Sequence, residues 1–186
     1  EVTTMKKEQF LNQWHFPTEI QFGPGKLLLI AECCNAMDIK FPLIVTDPTL
    51  AKHASMKFMK DILEGDDITF DIFSNIKSNP TGENVTAGAK LYRKNKHDGI
   101  ICFGGGSAID VGKAIALIAH QKLSLWDLED VNEIYLLANP KKIAPIIAIP
   151  TTSGTGSEVG RCSVILDEES QTKKVIFHPH MQPDCV

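Results

Sequence analysis

Asp98-Gly99-Ile100-Ile101-Cys102-Phe103-Gly104-Gly105-Gly106-Ser107-Ala108-Ile109-Asp110-Val111-Gly112-Lys113 reads as a buried strand that runs into a glycine turn and out into a helix. After the turn, Ile109, Val111, Ala114, Ile115, Leu117 and Ile118 form the wide apolar face of a helix packed on a sheet. Glycines let the backbone turn sharply and approach a ligand closely, and the unpaired first-turn amides of the helix, aligned with its dipole, favour negative charge. Ser107 is expected at the N-cap, where its hydroxyl either caps the helix or bonds a phosphate oxygen. The stretch predicts a phosphate-bearing ligand, with a plain structural turn as the alternative.

Spacing excludes two common glycine loops. A Walker A loop places four residues between its first glycine and a Gly-Lys-Ser/Thr, whereas Gly106 and Gly112 enclose five and Lys113 is followed by Ala114. The G-x-G-x-x-G dinucleotide fingerprint fails because Ile109 stands where the third glycine belongs.

Outward from this stretch the chain alternates helix and strand. Residues 26–38 read as a helix, Pro42 to Thr46 as a short strand, and Thr49 to Leu63 as a second helix ending at Gly65. Ile68 to Ser74 alternates as a strand, and Thr81 caps a helix running to about Lys96. Ala144 to Ile149 is a strand closed by Pro150, and Ser163 to Leu166 pairs with Lys174 to Phe177 in a hairpin about Asp167-Glu168-Glu169-Ser170. The alternation predicts an α/β fold with a parallel sheet covered by helices.

A second loop follows the strand that ends at Pro150. Thr151-Thr152-Ser153-Gly154-Thr155-Gly156-Ser157-Glu158 carries five hydroxyl side chains and two glycines at the end of a strand, where open α/β sheets bind ligands. Hydroxyls bond ribose, phosphate or carboxamide without adding charge, so the two loops are expected to share one ligand.

Composition narrows the class further. With 186 residues, 43% of them hydrophobic and 23% charged, the chain suits one globular domain with a real core, or a domain of a longer protein. A net charge of -4 without a basic run argues against nucleic acid. No apolar stretch approaches a membrane span, and Glu1-Val2-Thr3-Thr4-Met5-Lys6-Lys7 lacks the apolar core of a secretion signal, so a soluble cytoplasmic protein is expected.

Cys33, Cys34, Cys102, Cys162 and Cys185 are odd in number and form no C-x-x-C pair, which agrees with a reducing compartment. Cys102 reads as a small core residue rather than a reactive thiol. His178-Pro179-His180 has no acidic or cysteine partner at a metal-ligand spacing and reads as a solvated loop. Asp110 and Lys113 lie inside the predicted helix, where packing or a helix-surface pair competes with a ligand role.

Taken together, Gly104 to Lys113 and Pro150 to Val159 resemble the two signatures of the iron-containing (group III) alcohol dehydrogenases. The opening Phe16-Pro17-Thr18-Glu19-Ile20-Gln21-Phe22-Gly23-Pro24-Gly25, the middle Val45-Thr46-Asp47 and Asn79-Pro80-Thr81 fit the same family in order, so the resemblance covers nearly the whole chain. It implies a Rossmann-like, dehydroquinate synthase-like N-terminal domain over 1–186. It also implies an NAD-dependent, metal-assisted enzyme exchanging a hydride with a small primary alcohol, a diol or the corresponding aldehyde, and a homo-oligomer at full length. Glycerol dehydrogenases and maleylacetate reductases share that fold, and a non-catalytic nucleotide-binding module is the alternative from another class.

The resemblance also implies roles for matching positions. Asp47 corresponds to the acid on the adenosine ribose, where a carboxylate repels a 2′-phosphate and favours NAD over NADP; a turn aspartate before Pro48 is its plain alternative. Asn79 corresponds to an adenine-side contact, and Gly105, Gly106 and Ser107 to the pyrophosphate site. Thr151, Thr152 and Ser153 fall near phosphate and nicotinamide ribose, and Val164 and Lys173 on the nicotinamide side. Gly160, where relatives often carry threonine, and Cys162 depart from the pattern there. The family's divalent metal, Fe²⁺ or Zn²⁺, is held by one aspartate and three histidines, beginning with an Asp-x-x-x-His in a following helical domain. None of the six histidines here has Asp four residues before it, so this chain is expected to be the cofactor-binding half of a longer enzyme, with no metal ligand of its own.

Overall fold

The computed structural model describes residues 18–131 and 133–186. Phe16 and Pro17, at the start of the opening motif, and Glu1 to Lys7 lie outside the described residues. Four strands, β1 (Pro42–Val45), β2 (Asp71–Phe73), β3 (Gly99–Gly104) and β4 (Ile146–Pro150), form a parallel sheet in the order β2-β1-β3-β4. Helices α1 (Ile30–Ala36), α2 (Ala54–Gly65), α3 (Gly82–Asn95) and α4 (Gly106–Ile118) supply the layers that cover it.

The two faces of the sheet follow the period of two in the strands. Leu43, Val45, Ile100, Cys102, Ile146 and Ala148 point into one core with α3 and α4 residues such as Val85, Ala89, Ile109 and Ile115. Their neighbours Ile44, Ile101, Phe103 and Ile147 point into the other, with Ile30 and Cys34 of α1 and Met56, Met59 and Leu63 of α2. Strands buried on both faces are apolar throughout, as β1 and β3 are.

The strand order carries a functional consequence. The chain leaves β1 toward β2 on one side, then returns to place β3 and β4 on the other, so the order reverses between β1 and β3. In open α/β sheets the crevice outside the strand ends at such a reversal receives the ligand. Asp47 follows β1 there, and Gly105 follows β3.

Beside β4 the segment around Cys185 pairs in parallel with Ile147 and with Glu19, through Ala148 N–H to Cys185 O at 2.9 Å and Val186 N–H to Glu19 O at 2.8 Å. A separate antiparallel hairpin, β5 (Cys162–Asp167) and β6 (Thr172–Phe177), buries Ile165 and Ile176 in the core that contains α4. Leu166 N–H bonds Pro80 O at 2.8 Å and anchors the hairpin to the turn before α3.

Several boundaries differ from the sequence expectation. The segment expected as one helix from Thr49 is a 3-10 turn (Leu50–Lys52) and then α2, because His53 is extended and its ring accepts from Ser55 N–H as an N-cap. Residues 26–38 likewise divide into a 3-10 turn (Lys26–Leu29) and α1. The strand expected over Ile68 to Ser74 contracts to Asp71–Phe73. The sequence pattern predicts one buried face for α4, yet every residue from Ala108 to Ile118 is buried. No described helix is long and apolar enough to cross a membrane.

Candidate functional site at the β1–β3 reversal

Gly104 has φ +154°, and a Cβ there would lie 2.7 Å from Ala108 Cβ, so only glycine lets β3 turn this tightly into α4. The N-cap of α4 is Gly105, and among the described residues no side chain caps the helix. Its first-turn amides are therefore free of a side-chain acceptor at the reversal of the sheet.

Ser107 is not the N-cap; it sits within the first turn, and its hydroxyl donates to Ser78 O at 2.6 Å. Gly105 already has extended backbone, so the helix begins two residues earlier than serine's capping preference suggests. Ser107 instead ties the α4 turn to the loop after β2.

Around this turn lies a cavity of about 580 Å³, lined by Asp47, Thr49, Ser78, Gly105, Ser107, Thr151 and Thr152 together with apolar Leu50, Ile76 and Ala108. Asp47 Oδ1 accepts from the backbone N–H groups of Thr49 (2.8 Å) and Leu50 (2.9 Å). The turn role and the site position thus coexist in one carboxylate, whose Oδ2 lies toward Gly104.

The two glycine- and hydroxyl-bearing loops meet. Thr151 N–H donates to Gly104 O at 3.0 Å. A Cβ on Gly105 would lie 3.1 Å from Thr152 Oγ1, and one on Gly106 would lie 3.3 Å from Thr155 Cγ2 and 3.4 Å from Ser157 Oγ. Ser153 is exposed just beyond Thr152, outside the cavity wall. Asn79 is also exposed, next to Ser78 but not itself in the lining.

Val164 and Lys173 occupy one face of the hairpin, because Val164 pairs with Val175 and Leu166 with Lys173 in the antiparallel register. That face is the solvent-facing one: Val164 is 39% exposed, and Lys173 is exposed as well. Neither residue lines the 580 Å³ cavity.

Asp110 and Lys113 build the site from below. Lys113 is wholly buried, and its Nζ donates to Ser157 O (2.9 Å), Gly160 O (3.3 Å) and Cys162 O. Asp110 Oδ2 accepts from Val164 N–H at 3.0 Å. Helix α4 therefore positions both the hydroxyl loop and the start of β5.

Cys102 is a core residue: burial pushes its thiol up to about 12, which removes it as a nucleophile near neutral pH. His178 is not solvated. It is buried, and its Nδ1 accepts from His180 N–H at 3.1 Å to cap a 3-10 turn (Pro179–Met181). Among the described residues, no three His, Cys, Asp or Glu side chains converge as a metal site requires.

Ser78, Thr49, Leu50 and Ile76 line the cavity without having been singled out from the sequence. The one local signal was the X-Pro step at Pro80, which marks a loop but not its neighbour.

Comparison with known proteins places this architecture. Residues 17–186 match the family described as iron-containing alcohol dehydrogenase. The chain is 34% identical over 181 residues to alcohol dehydrogenase 4 of Schizosaccharomyces pombe, covering 97% of this chain and 42% of that protein. It is 35% identical over 157 residues to 1,3-propanediol dehydrogenase of Klebsiella pneumoniae, covering 83% and 39%. The crystal structure of sulfoacetaldehyde reductase from Bifidobacterium kashiwanohense in complex with NAD+ matches with a TM-score of 0.83 at 32% identity, covering 94% of this chain and 45% of that one. The chain spans less than half the length of these relatives. With the strand order, the glycine turn and the paired loops in agreement, the chain belongs to the iron-containing alcohol dehydrogenase family.

Proposed function

We propose that residues 1–186 are the NAD-binding α/β half of a dehydrogenase that exchanges a hydride between NAD and a small primary alcohol or diol. The observation that carries this reading is the cavity at the β1–β3 reversal, where Asp47, the uncapped start of α4 and the Thr151-Thr152 loop face one space. The named activities of the relatives and the NAD+ bound to one of them support the same ligand.

The donor set suits a dinucleotide. Asp47 keeps one carboxylate oxygen beyond its turn, for the adenosine ribose hydroxyls, and Asn79 stands at the rim for the adenine side. The amides at Gly105, Gly106 and Ser107 hold the pyrophosphate, as charge-free donors at a helix N-terminus do. Thr151, Thr152 and Ser153 bond phosphate and nicotinamide ribose, and Val164 and Lys173 border the nicotinamide. When bound, NAD supplies the hydride acceptor. This chain binds and orients it.

The test is coenzyme binding to the full-length protein and to its Asp47→Ser variant. Serine keeps an oxygen for the turn but loses the negative charge. The preference for NAD over NADP is expected to fall by about tenfold, ~1.4 kcal/mol. An unchanged preference removes Asp47 from the ribose site, and failure of the wild-type protein to bind either coenzyme overturns the whole reading.

A further inference from the structure

On the face of the sheet covered by α1, a cavity of about 530 Å³ opens between the segment around Phe22, α1 and β4. Cys33 and Cys185 both line it. Their sulfurs lie 3.1 Å apart, although the residues are 152 positions apart in sequence. Cys33 is half-buried and reachable from the cavity, whereas Cys185 is buried.

The contact is enforced by two separate backbones. Cys33 is carried by α1. Cys185 is held by its bridges to Ile147 and Glu19 and by the bond from Ala148 N–H. A disulfide needs the sulfurs about 1 Å closer, a shift within reach of side-chain rotation when both backbones stay in place. The other thiols are placed differently. Cys34 is fully buried among the α1 and α2 core residues, Cys102 lies in the core on the opposite face, and Cys162 is on β5.

We propose that Cys33 and Cys185 are a modification site, a dithiol that closes to an intramolecular disulfide by exchange with a small-molecule disulfide such as oxidised glutathione. The Cys33 thiolate attacks one sulfur of the reagent, forming a mixed disulfide and releasing one small thiolate, which takes up the Cys33 proton through water. Cys185 then gives up its proton and attacks the Cys33 sulfur, expelling the second small thiolate, which is protonated in turn. Two cysteine thiols are oxidised and one small disulfide is reduced to two thiols.

The order of attack follows from the surroundings. Burial, and then the contact with Cys33, pushes the Cys185 thiol up to about 12, which makes it a poor first nucleophile. In the second step its target sulfur is already in contact, and proximity offsets the small thiolate fraction. The bond closes a loop that includes every strand of both sheets, so it restricts the unfolded chain more than a local crosslink does. It requires no bound coenzyme and stands apart from the coenzyme reading.

The experiment uses the full-length protein, incubated with oxidised glutathione, then alkylated and mapped by mass spectrometry. A Cys33–Cys185 crosslinked peptide is expected, with a raised urea midpoint that reverts under dithiothreitol. Cys33→Ser, a change at a half-buried position, is expected to lose both effects, and Cys34→Ala to keep both. Alkylation of both Cys33 and Cys185, a stable glutathione adduct on Cys33 with Cys185 free, or a Cys33–Cys34 link would each overturn the proposal.

Discussion

Lys113 and Asp110 form an ion pair within α4, Nζ to Oδ1 at 3.5 Å, and each partner also holds a different part of the chain beyond the helix. The ammonium gathers three carbonyls of the 157–162 segment, and the carboxylate holds the Val164 amide. A motif that looks like ligand chemistry in one dimension is therefore a strut in three.

Replacing Lys113 with Met keeps most of the apolar stem and deletes the charged end of the side chain. Asp110 and three carbonyls then lose their buried partner, so the variant is expected to lose about 3–5 kcal/mol of stability. Urea unfolding of the full-length protein measures this. A loss below about 1 kcal/mol would show that water enters and replaces the ammonium.

At Gly112 the helix rests directly on β3, and an added Cβ would overlap the Cys102 sulfur. Gly112→Ala is expected to destabilise by about 1–3 kcal/mol through overpacking. Cys102→Ala removes the obstructing sulfur, so the double variant is expected to be no less stable than Cys102→Ala alone. An equal penalty for Gly112→Ala in both backgrounds would place the clash elsewhere.

Burial, and then the nearby His180, lowers the proton affinity of His178 from the ordinary imidazole value of 6.5. The unfolded chain then takes up this proton more readily than the folded one. The contribution is fully present above 6.5 and is lost as pH falls through that value toward the folded one. His178→Asn keeps a capping acceptor but cannot titrate. Between pH ~7.5 and ~5.5 it is expected to lose less stability than the wild type, in denaturant melts. Parallel losses in the two proteins would assign the acid sensitivity to other groups.

The strand, glycine turn and helix at Gly99 to Ile118 were legible in sequence because their determinants are local: an apolar run, glycines and a helical period. The hairpin was legible too, within a residue at its turn. What the chain could not disclose was contact across distance. Ser107 carries the hydroxyl that suits an N-cap, yet Gly105 starts the helix. The strut roles of Asp110 and Lys113 depend on where residues 157–164 fold back. His178 reads as a loop residue until Tyr135 and the hairpin end pack over it. Ser78 enters the cavity wall only because α3 carries its loop to α4, with Asn84 bonding Lys77 N–H, Thr81 N–H and Asn75 O.

From Ala108 onward α4 has no surface of its own; only its opening turn reaches solvent. Such a helix behaves as a fixed post. Substitutions along its shaft disturb the core on one side or another, whereas the ribbons around its tip, after β1, β2 and β4, carry exposed cavity-lining positions such as Thr49, Ser78 and Thr151. A substitution at those exposed positions reshapes the cavity wall without entering the core, while one on the post enters it.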